Sequence, residues 1–198
     1  MQTKFEDNVQ FLFDELYTAN ECFIGYKVVY NKQVDDVDAL NVAPGFFSLA
    51  IFSFLRLYAI TISRMYDNHK DSVNLKRVIA DAQAPDIMPQ DNAAKLLLID
   101  ECQHLYDAQT TSIKKLRLIR DKTLAHNDSR YLQDDIWSES GLTIGGHQSL
   151  IDTAYRILCN CRTMLDLPIP VLGMGVEGNV DHLISIIKLG RQTWLNDE

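Results

Sequence analysis

The chain has 198 residues, 46% of them hydrophobic and 23% charged, which is too apolar for disorder and long enough for one sizeable core. A formal net charge of -8 excludes coating of nucleic acid by the whole surface, but not a locally basic cleft. Five prolines and nine glycines are sparse punctuation, favouring long helices over many short strands.

The opening Met1-Gln-Thr-Lys-Phe-Glu-Asp lacks the basic, apolar, small-residue order of a secretory signal, so a cytoplasmic protein is expected. Apolar residues at Phe5, Val9, Leu12, Leu16, Ala19, Phe23, Tyr26 and Tyr30 alternate intervals of four and three. That pattern predicts one helix of roughly 28 residues, striped along one face. Asp35, Asp36 and Asp38 interrupt it, and Pro44-Gly45 marks a loop. Phe46 to Met65 is the most hydrophobic stretch and approaches the length of a membrane span. Arg56 and Arg64 within it carry charges that are costly in a bilayer, so a buried central helix is expected and no membrane association.

A short helix is predicted around Leu75–Ile79, between two loops. From Ala93 a single long helix is expected, capped by Asp91 or Asn92, with Leu98, Cys102, Leu105, Ala108, Ser112, Leu116 and Ile119 on one face and an end near Ala125–Asn127. Asp128 to His147 reads as a polar loop or lid. Gln148 to Leu165 reads as a further helix, and Val180 to Leu195 as a last amphipathic one after irregular chain. The fold class is therefore all-α, an antiparallel bundle of four to five helices with an extra C-terminal helix.

Cys22, Cys102, Cys159 and Cys161 fit neither a disulfide framework nor a zinc site, and they read as reduced thiols. Asp100 and His104 stand four apart on one helix face but lack a companion pair, so no metal is expected. Trp137 and Trp194 read as packing anchors, with base stacking as the alternative for Trp137.

The run Lys114-Lys-Leu-Arg-Leu-Ile-Arg-Asp-Lys-Thr-Leu-Ala-His-Asn-Asp128 concentrates five cations in an acidic chain. Arginine can hold phosphate oxygens with two parallel hydrogen bonds and keeps its charge. Histidine exchanges a proton near neutral pH. The bare Arg-x4–6-His spacing has little value, since roughly 0.7 chance matches are expected. Arg64-Met-Tyr-Asp-Asn-His69 is indeed a second one. On an ideal helix, residues six apart point about 120° away from each other, so the pair works best if the helix loosens before His126.

RDKTLAHND resembles the Arg-polar-x-His signature of the HEPN superfamily of helical, RNA-cleaving proteins. FFSLAIFSFLRLYAITISRMYD, the following NLKRVI and the earlier YKVVYN are similar to the abortive-infection AbiU-type HEPN proteins. The resemblance spans roughly residues 5 to 165. A helical domain over 1–167 is expected, with 168–198 an irregular linker and a helix packed on the same domain, the final helix lying outside the resemblance. The resemblance further implies a metal-independent, cofactor-free ribonuclease acting in phage defence as a homodimer, with RNA as substrate and a neutralising or defence-system protein as partner. Arg120 and His126 would be the catalytic pair and Asp121 the polar neighbour in the catalytic set, orienting the arginine, with Lys122, Asn127 and Asp128 supporting RNA or the helix end. Arg64 and Asp67 read first as structural, Arg64 taking an acidic partner from a neighbouring helix; the other reading sets Arg64 at the rim of the cleft against phosphate. A non-catalytic helical dimer that binds protein or RNA is the rival.

Overall fold

The computed structural model describes residues 2–85, 87, 93–125, 140–173 and 175–196. Eight helices follow one another and no strand occurs among the described residues: α1 (Gln2–Asp35), α2 (Val37–Leu40), α3 (Pro44–Met65), α4 (Leu75–Ala82), α5 (Ala93–Ala108), α6 (Thr110–Ala125), α7 (Ile144–Met164) and α8 (Gly175–Asn196). The all-α class read from the periodicity is the class observed. The chain forms two compact units, one of residues 1–17 and 59–171, the other of 18–58 and 172–198. Helices α1 and α3 each contribute a part to both.

In the first unit, Phe5, Val9, Leu12 and Leu16 bury the predicted stripe of α1. Ile62 and Met65 come from α3, Tyr66 from the turn after it, Leu75, Val78 and Ile79 from α4, and Ile99, Cys102 and Tyr106 from α5. Ile113, Leu116 and Ile119 of α6 and Leu150, Ile151, Ala154, Ile157 and Leu158 of α7 complete the core. Helix α4 starts where Asn74 caps it, its side-chain oxygen accepting from the Arg77 amide at 2.8 Å. Helix α7 is tied to α1 by Arg162, whose Nη1 donates to the Gln10 side chain at 2.8 Å while the guanidinium lies over the Phe13 ring.

Expectations fail here at two places, both for tertiary reasons. The helix from Ala93 is two helices, broken at Gln109. The Gln109 side-chain Nε2 donates to Ser149 Oγ at 2.9 Å and Thr153 Oγ1 at 3.0 Å on α7, and the Thr110 hydroxyl donates back to the Asp107 carbonyl. With that break the buried positions of α5 become Ile99, Cys102 and Tyr106, one residue round from the expected Leu98 and Leu105. Helix α7 begins at Ile144, inside the expected loop, because Thr143 Oγ1 accepts from the Gly146 amide at 3.1 Å and caps it.

In the second unit, Val29, Ala39, Leu40, Phe47 and Ile184 form a small core, with Ile51, Phe54, Val180 and Ile187 packed against it. Helix α1 is longer than expected, 34 residues, and past Phe23 its buried face passes to Val29, leaving Tyr30 48% exposed rather than buried. A Cβ at Gly25 would lie 3.0 Å from the Phe54 ring, so the residue type permits the close approach of α1 and α3. Helix α8 starts at Gly175, earlier than expected. It is held by ion pairs of Lys188 with Asp36, of Asp181 with Lys32 and of Arg191 with Asp38. The Lys188 ammonium beside Asp36 holds that carboxyl below its usual range.

Helix α3 is long and apolar enough to cross a membrane by length and composition. The expected buried helix is realised mainly at its C-terminal end: Tyr58, Ala59, Thr61, Ile62, Ser63 and Met65 are buried, whereas in the earlier turns Phe47 is buried but Phe46, Leu49 and Leu57 are exposed.

Candidate active site on helix α6

All described members of the site belong to the first unit. Arg117 and Arg120 stand three apart on α6 and so share a face. That face meets the C-terminal end of α3, where the last carbonyls lack intrahelical partners and the helix dipole favours cations. Arg117 Nη2 donates to the Tyr66 carbonyl at 3.3 Å. Arg120 Nη1 lies 3.6 Å from Asp67 Oδ1, and its Nε and Nη2 each donate to Asp121 Oδ1 at 2.9 Å. The Arg120 side chain is 28% exposed, a cation neither sunk in the core nor free in solvent.

The turn that carries Asp67 is itself fixed. Asp67 Oδ1 accepts from the Asn68 amide at 2.8 Å, and Tyr106 of α5 donates its hydroxyl to Asn68 Oδ1 at 3.2 Å. The Tyr66 hydroxyl donates to the Leu150 carbonyl of α7 at 2.7 Å. Burial raises the pKa of both phenols above the ordinary tyrosine value, so both remain protonated donors.

Beside this turn lies a cleft of about 190 Å³ whose lining includes Phe11, Glu15, Arg64, Asp67 and Ser72. Arg64 is exposed, and its Nη1 pairs with Glu15 Oε2 of α1 at 3.3 Å. Arg64 thus has an acidic partner on a neighbouring helix, a glutamate where an aspartate was expected, and its side chain lines this cleft.

Thus Arg120, Asp121 and Arg64 gather at one end of the bundle, and Asp67 joins them. Sequence reasoning leaves Asp67 among structural residues; its one signal is its place at the RMYD end of the stretch similar to AbiU-type proteins. Helix α6 stays regular to Ala125, so the expected loosening does not occur before that residue. His126, Asn127, Asp128 and Trp137, and the side chains of Lys122 and Trp194, lie outside the described residues. Asp100 and His104 are exposed on α5, and no three potential metal-ligating side chains converge among the described residues.

The arrangement suits an anion. A guanidinium has five N–H donors. Three of those on Arg120 face the two carboxylates, and the other two have no partner among the described residues, a pair suited to a ligand such as two phosphate oxygens.

No curated protein and no solved structure matches the chain. The sequence profile of the AbiU2 family, of HEPN type, matches residues 2–160, a span that contains α1 to α6, most of α7 and every residue of the site above. The chain belongs to the AbiU2 family of HEPN abortive-infection proteins.

Proposed function

We propose that this chain is a metal-independent endoribonuclease of abortive infection, cutting RNA in the cytoplasm at a site composed where two copies meet. The observation that supports this reading is Arg120, a partly shielded cation whose edges are held by carboxylates while two of its N–H groups have no partner among the described residues. His126 lies within the matched span, and its role is carried over from the resemblance of RDKTLAHND to the HEPN signature.

In the proposed reaction the ribose 2′-oxygen attacks the adjacent phosphorus and the bond to the 5′-oxygen breaks. His126 moves a proton, taking it from the 2′-hydroxyl or giving it to the departing 5′-oxygen. Arg120 offsets the charge that gathers on the equatorial phosphoryl oxygens. Products are a 2′,3′-cyclic phosphate and a 5′-hydroxyl. Metal independence comes from the HEPN likeness, as does the homodimer, and Lys122, Asn127 and Asp128 are assigned RNA or helix-end support on the same ground.

A second reading, a non-catalytic dimeric module that binds protein or RNA, is favoured by the exposed Phe46, Leu49 and Leu57 on α3, since interfaces cover apolar surface of this kind. Labelled single-stranded and structured RNA, incubated in EDTA with wild type, Arg120→Ala and His126→Ala, separates the two. Cleavage leaving a cyclic phosphate in wild type and lost in both variants supports the nuclease. Cleavage equal in all three refutes the assigned pair, and no cleavage by folded, dimeric wild type favours the binding module.

A further inference from the structure

We infer that Asp67, rather than the adjacent Asp121, is the positioning residue that sets the direction of the Arg120 guanidinium. The inference rests on the nuclease reading only for its effect on turnover.

Two carboxylates contact Arg120, and they differ in what holds them. Asp121 gives the shorter contact, 2.9 Å, but is 62% exposed and belongs to the same helix as the arginine. A pair of that kind is screened by water and moves with the arginine backbone, so it fixes little relative to the rest of the site. Asp67 is 33% exposed and 3.6 Å from Nη1. It stands on another element, and its own Oδ1 is pinned by the Asn68 amide. Asn68 is pinned in turn by the Tyr106 hydroxyl from α5. Arg117 on α6 reaches the carbonyl of Tyr66, the residue before Asp67. The Asp67 carboxylate is thereby referenced to α3, α5 and α6 together, a frame that Asp121 lacks.

Competition for Asp67 is limited by a separate pair. Arg64, which lines the same cleft, is engaged by Glu15 at 3.3 Å. Asp67 therefore remains for Nη1 of Arg120. Fixing Nη1 on one edge directs the outward N–H groups of the guanidinium, and orientation of that kind matters more in a transition state than in initial binding.

The test uses the full-length chain with three substitutions. Asp67→Asn removes the charge but leaves an oxygen for the Asn68 amide, so the turn is retained. Asp67→Glu restores the charge, and Asp121→Asn is the comparison. Arginine-15N NMR reads the rotation of the Arg120 terminal nitrogens, and RNA cleavage gives kcat and KM. Asp67→Asn should speed that rotation and lower kcat about tenfold with KM within about twofold, while Asp121→Asn should change kcat less than about threefold and Asp67→Glu should recover part of the loss. Equal effects of the two asparagine variants on rotation, or a larger one at Asp121, would overturn the inference. If wild type cleaves no RNA, the nuclease reading fails on that arm, and the NMR comparison still decides the role of Asp67.

Discussion

The loss of stability with falling pH should be dominated by one buried histidine. His147, in the first turn of α7, is 4% exposed, and burial pushes its imidazole from 6.5 down to about 4. In the unfolded chain the same group titrates near 6.5. Between these values the unfolded state binds the extra proton, so stability is fully present above about pH 6.5 and is lost as pH falls toward about 4. At about 1.36 kcal/mol per pH unit the whole interval corresponds to about 3 kcal/mol, and the fall from about pH 7.5 to about pH 5 to about 2 kcal/mol. Urea unfolding of wild type and His147→Gln across that range gives the measurement, because carboxylates shared by both proteins cancel in the difference. The wild type should lose about 2 kcal/mol relative to the variant. Parallel curves would show that the imidazole takes up its proton in the folded state without penalty, and would refute the burial argument.

Two further substitutions test the fold around the site. Leu116→Ala on α6 empties a fully buried position and should cost about 2–5 kcal/mol, seen as a lower urea midpoint at unchanged slope. Asn74→Ala removes the cap of α4 and the contacts of the Asn74 amide with the His69 carbonyl at 3.1 Å and Ser72 Oγ at 3.0 Å; about 1–2 kcal/mol is expected by the same assay, with faster amide exchange confined first to α4.

How much of this could be read from the sequence depended on whether the deciding interaction was local. The α1 stripe from Phe5 to Phe23 is a local periodicity, and it is buried as read. The short helix at Leu75–Ile79 was legible from its flanking loops, and its Asn74 cap acts within three residues. The break at Gln109 was not legible, since glutamine is a good helix former and nothing nearby forbids the helix; its cause is on α7. The start of α7 was hidden because Gly145 and Gly146 read as loop residues, while Thr143 caps a helix that includes them. The half-exposed α3 was missed because apolar content reports what a helix can bury, not which turns have a neighbour. At the site, Arg120 was found through resemblance. Asp67 was not, because the value of a carboxylate there depends on α6 folding back to it.

The same contrast changes what the basic run on α6 means. In the sequence, Lys114, Lys115, Arg117, Arg120 and Lys122 look like an accumulation of charge aimed at a polyanion. In the structure Lys115 donates to the Gly141 carbonyl at 2.7 Å, Arg117 to the Tyr66 carbonyl, and Arg120 is held by Asp67 and Asp121. Two of those cations thus satisfy backbone carbonyls, at the end of α3 and beside α7, and hold α6 in place. A chain with net charge -8 that uses its cations in this way is poorly suited to gather RNA by bulk attraction. Recognition by it would depend on a few directed contacts around Arg120, so the orientation of one guanidinium carries more consequence than the number of lysines beside it.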